Sequence, residues 1–360
     1  MTGSADSTQD APVSVGVVGA AGYAGIELLR LLAAHPGVAV NAVYGSSRAG
    51  AQLADHVPTL RGVYDLELLE SDEATIVANG HDAVFLCTPH ETSAGLTPAL
   101  LAAGVVVVDL SAAFRLTDPA AYPTHYGFTH PSPELLDEAV YAMPETHRAA
   151  IASGNVLACP GCYPTSSILP VAPLLEAGLL DTSHAVIVDS TSGVSGAGRK
   201  AAESSSFCQV SQRPYGVFGH RHTPEITQEL GGTKIVFTPH LGPFARGIAT
   251  TIHAQLNPGV TLAQVYDAWN DAYREEPFVR VRETGDWPGV GDVVGTNMVD
   301  MAAACDESGH LIVCSAIDNL IKGASGQAVQ AFNIRFGFPE VTALMPNSHG
   351  LASLTPGVPS

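Results

Sequence analysis

Basic side chains are scarce: 16 Lys and Arg stand against 35 Asp and Glu in 360 residues, a net charge of −19. A surface of that sign repels phosphate backbones and anionic lipid head groups, which argues against nucleic acid and membranes as partners. Long apolar runs are missing as well, since none approaches the ~18 residues of a membrane span. Cysteine is rare. Cys87, Cys159, Cys162, Cys208, Cys305 and Cys314 are scattered rather than set in the dense array of a secreted disulfide framework. The opening stretch MTGSADSTQDAPVS has neither a basic region nor an apolar core, so residues 1–12 read as a disordered lead-in, not a signal peptide. The expectation is a cytoplasmic protein. No internal repeat is visible, and 46% apolar residues suffice for two domain cores.

What is present begins with SVGVVGAAGYAGIELLRLLAAHPGVAVNAVY. A short apolar strand meets a glycine turn, then a helix with Leu28, Leu29, Leu31 and Leu32 on its apolar face, then a second strand over 38–44. The segments DAVFLCTPH and VVVVDLS add strands around a helix closed by Gly104. Strands apolar throughout belong in a sheet covered on both faces. The prediction over 13–161 is therefore an α/β, Rossmann-type, doubly wound parallel sheet. After Cys162 the strands HAVIVDSTSG, TKIVFTPH, GIATTIHAQL, NMVDMAAACD and HLIVCSAIDNL alternate with glycine-rich loops and the helix TLAQVYDAWNDAYREE. That pattern predicts a second α+β domain over 162–321, with a mixed, largely antiparallel sheet. A helix over about 322–345 would return to the first domain, and the final twenty residues read as a tail.

Gly19, Gly22 and Gly25 form G-x-x-G-x-x-G at the first strand-to-helix turn, with Tyr23 and Ala24 opening the helix. Residues without Cβ let a pyrophosphate approach backbone amides at the positive helix end, so this turn is read as dinucleotide-binding. The second strand ends in YGSSRAG, without the carboxylate that holds a free ribose in NAD enzymes. Ser46, Ser47 and Arg48 suit a 2′-phosphate instead, which favours NADP(H); the competing reading makes Arg48 a solvated loop residue.

Cys159-Pro160-Gly161-Cys162 admits a redox pair, half a zinc site, an inert pair or a nucleophile. No second ligand pair follows at zinc spacing, so no metal is expected. Pro160-Gly161 turns the chain sharply into a helix. Cys162 at its start would have its thiolate favoured by the dipole, with free amides nearby to hold an oxyanion. A cysteine suits acyl reduction because a thioester accepts hydride and the thiolate leaves afterwards. The proton partner is sought in GHRHTPEI, in His220 or His222; His222 is preferred because Glu225 could orient it. Arg115 lies in an otherwise apolar stretch and suits a two-point carboxylate clamp. Arg48, Arg199, Lys200, Arg246 and Lys322 lie near glycines or strand ends, with Arg199 or Lys200 placed to meet a phosphate.

Together GAAGYAG, DLSAAFRL, PGCYPT, SGVSGAGR, GHRHTPEI, FTPHLGPFARG and DNLIKGASGQAVQ resemble the N-acetyl-γ-glutamyl-phosphate reductase family, from Val15 to about Phe338. The resemblance implies an NADP-dependent enzyme of arginine biosynthesis acting on a small acyl phosphate, and a homo-oligomer, dimer or tetramer. It makes Cys162 the nucleophile and the histidine pair the acid/base. It assigns substrate binding to Arg115, Ser192, Gly193, Arg199 and Arg246, and cofactor binding to Ser195, Gly196 and Asn319. Two departures stand out: Cys159 replaces an asparagine, and Ala113 an acidic residue. The first raises a redox switch in which Cys159 and Cys162 join on oxidation. Rival readings are an aspartate- or aminoadipate-semialdehyde dehydrogenase, or a nucleotide-binding regulator without catalysis.

Overall fold

The computed structural model describes residues 11–345, so most of the lead-in and most of the tail lie outside the described residues. Seven strands build the first sheet: β1 (Val13–Val18), β2 (Val38–Tyr44), β3 (Leu68–Leu69), β4 (Ala83–Leu86), β5 (Val106–Asp109), β6 (Val140–Tyr141) and β7 (Val156–Ala158). All run parallel in the order β3-β2-β1-β4-β5-β7-β6. The order reverses at β1 and β4, and in such sheets the crevice beyond that reversal is where ligands bind. Helices cover both faces, which explains why β4 and β5 are buried at every residue.

The second sheet contains β8 (Val186–Ser192), β9 (Arg213–Pro214), β10 (Ile235–Leu241), β11 (Ile248–Gln255), β12 (Val279–Val281), β13 (Val299–Cys305) and β14 (His310–Ile317). Their order is β12-β13-β14-β11-β8-β10-β9. The β8–β10 and β12–β13 pairs are parallel and the others antiparallel, so the sheet is mixed as expected. In β11 every second residue is buried, because only one face carries helices.

The helix Cys162–Glu176 joins the two sheets. Pro170 and Pro173 remove two amides from its interior, freeing the carbonyls of Ser166 and Leu169. Ser315 Oγ donates to the first at 2.6 Å and the Tyr273 hydroxyl to the second at 2.5 Å. The missing helical bonds thereby become anchors to the second domain. The C-terminal segment is a π-turn, Ile321–Ser325, running into the helix Gly326–Arg335, shorter than the expected 322–345. Phe332 of that helix packs against Phe85 of β4, with ring centroids 5.5 Å apart. Among the described residues no helix is long and apolar enough to cross a membrane.

Candidate active site

A cleft of about 900 Å³ opens beyond the carboxyl ends of β1 and β4 and runs to the start of the helix Cys162–Glu176. At its nucleotide end the three glycines answer three different needs. Gly19 has φ +80°, and a Cβ there would lie 2.3 Å from the Cys87 carbonyl oxygen. A Cβ on Gly25 would meet Gly19 O at 2.5 Å, so this glycine lets the helix Tyr23–Leu32 sit against the strand end. Gly22 caps the helix and faces open space, its nearest neighbour for a Cβ being Gly19 O at 3.4 Å. A turn, a close helix approach and an open backbone at a helix N-terminus make a cradle that fits a dinucleotide pyrophosphate. Tyr23 and Ala24 line it. Residues 46–48 form a short turn after β2, and Ser47 and Arg48 lie off the cleft's lining. Ser47 is exposed, Arg48 is half-buried without an ion pair among the described residues, and the side chain of Ser46 lies outside them.

At the other end Cys162 is the first residue of its helix, behind Gly161. A Cβ on Gly323 of the π-turn would come 2.7 Å from Cys162 Cβ, so that turn walls the sulfur. Burial pushes the thiol pKa up, against the pull of Arg115 and of the Tyr163 amide. Burial thus works against the thiolate that the helix start favours, so the proton must be taken up by a partner when the sulfur reacts. His222 is buried, and its Nε2 would lie 2.7 Å from a Cβ placed on Gly161. Burial, then His220, Arg115 and Arg221, hold its pKa well below the ordinary 6.5. His220 is lowered to about 4 by burial and Arg221. Both rings are therefore neutral, as a proton acceptor requires.

The direct contact by which Glu225 was expected to orient His222 is also corrected. Its oxygens are taken by the Gly161 amide at 2.8 Å, the Tyr141 hydroxyl at 2.9 Å and Arg115 at 3.4 Å, while His222 Nδ1 meets no partner among the described residues. Arg115 donates from Nε to Cys159 O at 2.7 Å and from Nη2 to Leu110 O at 2.9 Å. These carbonyls supply the support that Ala113 does not, and they use the side-on edge of the guanidinium. Nη1 also faces Glu225 Oε2 at 3.4 Å, which leaves one N–H on each terminal nitrogen for a ligand.

Other expected positions sort differently. Ser192, Ser195, Gly196, Arg199 and Asn319 line the cleft, and Asn319 Nδ2 donates to Ser195 Oγ at 3.0 Å. Gly193 is instead a steric glycine, since its Cβ would strike Arg246 N at 2.6 Å. Arg246 does not line the cleft: Asp318 at 2.9 Å and Glu27 at 3.1 Å neutralise it between the domains. Arg199 reaches the nucleotide side, donating to Ala21 O and His56 O at 2.8 and 2.9 Å, so its expected place on a substrate phosphate is not where its side chain lies. Lys200 is exposed off the lining, and Lys322 is wholly buried in an ion pair with Glu145. Cys159 sits fully buried in the first domain's core, while Cys162 packs on the second's. Sequence reasoning passed over Tyr141, Arg221 and the Thr88-Pro89-His90 turn after β4; the last was findable from its place at a strand end beside the sheet's reversal point.

Residues 14–154 match the family described as semialdehyde dehydrogenase, NAD binding domain, and residues 162–319 the one described as semialdehyde dehydrogenase, dimerisation domain. The N-acetyl-gamma-glutamyl-phosphate reductase of Salmonella typhi is 48% identical over 332 residues, covering 91% of this chain and 98% of its own. That of Escherichia coli strain K12 is 47% identical over 332 residues, with the same coverage. The chain belongs to the N-acetyl-gamma-glutamyl-phosphate reductase family. Among solved structures, aspartate semialdehyde dehydrogenase II of Vibrio cholerae complexed with ASA superposes with a TM-score of 0.69 at 19% identity, covering 91% of this chain and 98% of that one. The aspartate semialdehyde dehydrogenase of Candida albicans with NADP gives 0.65 at 17%, covering 90% and 98%. At such identities these two speak for the fold, which family members thus share with enzymes of other names. Among the described residues of this family member, no three His, Cys, Asp or Glu side chains gather where a metal ion could be held.

Proposed function

We propose that the chain reduces N-acetyl-L-glutamyl 5-phosphate to N-acetyl-L-glutamate 5-semialdehyde and phosphate in arginine biosynthesis, with NADPH as reductant. The observation that carries this reading is one cleft joining a dinucleotide cradle to a helix-start cysteine, a neutral buried histidine and a buried arginine. Cys162 is the nucleophile. His222 takes its proton as sulfur bonds to the acyl carbon, and the proton passes to the departing phosphate as the C–O bond breaks, leaving a thioester. A nicotinamide nucleotide held by the glycine cradle with Ser195, Gly196 and Asn319 would supply hydride to that carbon. The resulting oxyanion is held by the free Cys162 amide at the helix start, carbon–sulfur cleavage releases the aldehyde, and the sulfur regains a proton from solvent. The end of the Arg115 guanidinium holds the substrate carboxylate.

The same reading gives residues 13–161 with the C-terminal helix to the nucleotide, and 162–321 to substrate and to assembly as a homo-oligomer. The glycine cradle, Ser195, Gly196 and Asn319 hold the cofactor. NADP(H) over NAD(H) rests on the absence of a carboxylate at the end of β2, where Ser46, Ser47 and Arg48 stand. The assay is phosphate-dependent reduction of NADP⁺ with each candidate aldehyde. N-Acetylglutamate semialdehyde is expected to turn over at least about a hundredfold faster than aspartate semialdehyde, a discrimination within reach of pocket polar groups. Comparable rates, or a preference for the latter, overturn the substrate.

A further inference from the structure

Glu225 does not itself line the cleft, yet it contacts residues that do, and its carboxylate is completely buried. A buried charge is costly unless paired, and apolar replacements of buried ion pairs are often as stable, so stability alone is a poor reason to keep one. Its partners come from three separate places. Oε1 accepts the Gly161 amide, one peptide before Cys162, at 2.8 Å, and the Tyr141 hydroxyl of β6 at 2.9 Å. Oε2 faces Arg115 Nη1 at 3.4 Å. Glu225 itself lies in the first turn of the helix Thr223–Glu229, whose N-cap is His222. One carboxylate thus ties together the turn before the sulfur, the arginine and the helix start that carries the imidazole.

We infer that Glu225 is the positioning residue of this site, holding Cys162, Arg115 and His222 in register without meeting the substrate. The inference rests on Cys162 being the nucleophile. Three groups on three chain segments need one shared partner because a displacement of about 1 Å can cost a hundredfold in rate. Glu225 also takes the Gly161 amide out of the pool of oxyanion donors, leaving that task to the helix's own first amide. The charged and titratable groups facing it are Arg115, Tyr122, Tyr126, Tyr141, Cys162 and, one turn along its own helix, Glu229.

The test compares Glu225→Ala and Glu225→Gln in the full chain, reading kcat, KM and the pH profile of Cys162 alkylation by iodoacetamide without substrate. Glu225→Ala is expected to lower kcat by about a hundredfold. Glu225→Gln keeps an acceptor for the amide and hydroxyl and is expected to recover about tenfold of that loss. With Arg115 no longer balanced, Glu225→Gln should also move the alkylation midpoint to lower pH: the sulfur reacts faster with iodoacetamide at neutral pH while turnover is slower. A purely structural carboxylate would lower thermal stability and leave that profile in place. An unmoved midpoint in Glu225→Gln, or wild-type kcat in Glu225→Ala, overturns the inference; should Glu225→Ala not fold, the glutamine variant decides alone. Failure of the nucleophile reading shows separately, as turnover in Cys162→Ser.

Discussion

The two ends of the cleft are built from different materials. At the nucleotide end backbone does the work, with Gly19, Gly22 and Gly25 within seven residues, Gly22 and Gly25 answering to Gly19 and Gly19 to the Cys87 backbone carbonyl beyond β4. At the sulfur end buried side chains do it. Arg115 meets a carbonyl 44 residues away and a carboxylate 110 residues away, and Glu225 reaches back 64 residues to the Gly161 amide. The first is open and tolerant of solvent; the second is dry, so its protonation states depend on burial as much as on partners.

Substitutions sharpen that contrast. His222→Asn is expected to lower kcat by roughly 10²–10⁴-fold. In the wild type, kcat/KM should hold as pH falls through 6.5, because the folded imidazole stays neutral below its ordinary value. The unfolded chain binds that proton more readily, so stability declines as pH falls below 6.5; His222→Asn should flatten this slope in denaturant titrations. An acid limb in kcat/KM at 6.5 would contradict the buried, neutral histidine. Next come the glycines. Gly19→Ala, with its positive φ and carbonyl clash, should cost roughly 1–3 kcal/mol in thermal or denaturant unfolding. Gly22→Ala should leave unfolding almost unchanged and raise KM for the nucleotide, because only a ligand occupies the space it enters. Equal effects at both positions would break the division between fold-making and ligand-facing glycines. Arg246→Gln leaves the buried Asp318 carboxylate short of its partner and should lower stability by roughly 1–3 kcal/mol, with KM for the acyl phosphate unmoved. The smallest effect is expected for Arg48→Ala, a loss of about tenfold or less in preference for NADPH over NADH, as suits a partly exposed charge.

Legibility followed the distance between partners. The strand 38–44, the helix start at Cys162 and the five long strands of the second sheet came directly from apolar spacing, glycine and proline. The glycine turn was readable because its three residues sit together at one strand-to-helix turn, although Gly19 also makes room for the Cys87 carbonyl beyond β4. Glu225, three residues from His222, invited a local pairing, and the structure turned its carboxylate to Gly161 and Tyr141 instead. Arg115 and Arg246 looked alike as basic residues beside loops, yet one is held by backbone carbonyls with an end left toward the cleft, and the other is neutralised by two carboxylates. Lys322 next to glycine looked like a site residue and proved a core ion pair. Charge and neighbouring glycine do not carry that distinction; the partner does, and it lies far off in the chain.

The most direct measurement is intact-protein and peptide mass spectrometry after mixing the enzyme with N-acetylglutamyl 5-phosphate in the absence of nicotinamide nucleotide. An N-acetylglutamyl group on Cys162, discharged when NADPH is added, is the predicted result. Full turnover with that sulfur never acylated, or with the group carried on another residue, would contradict it.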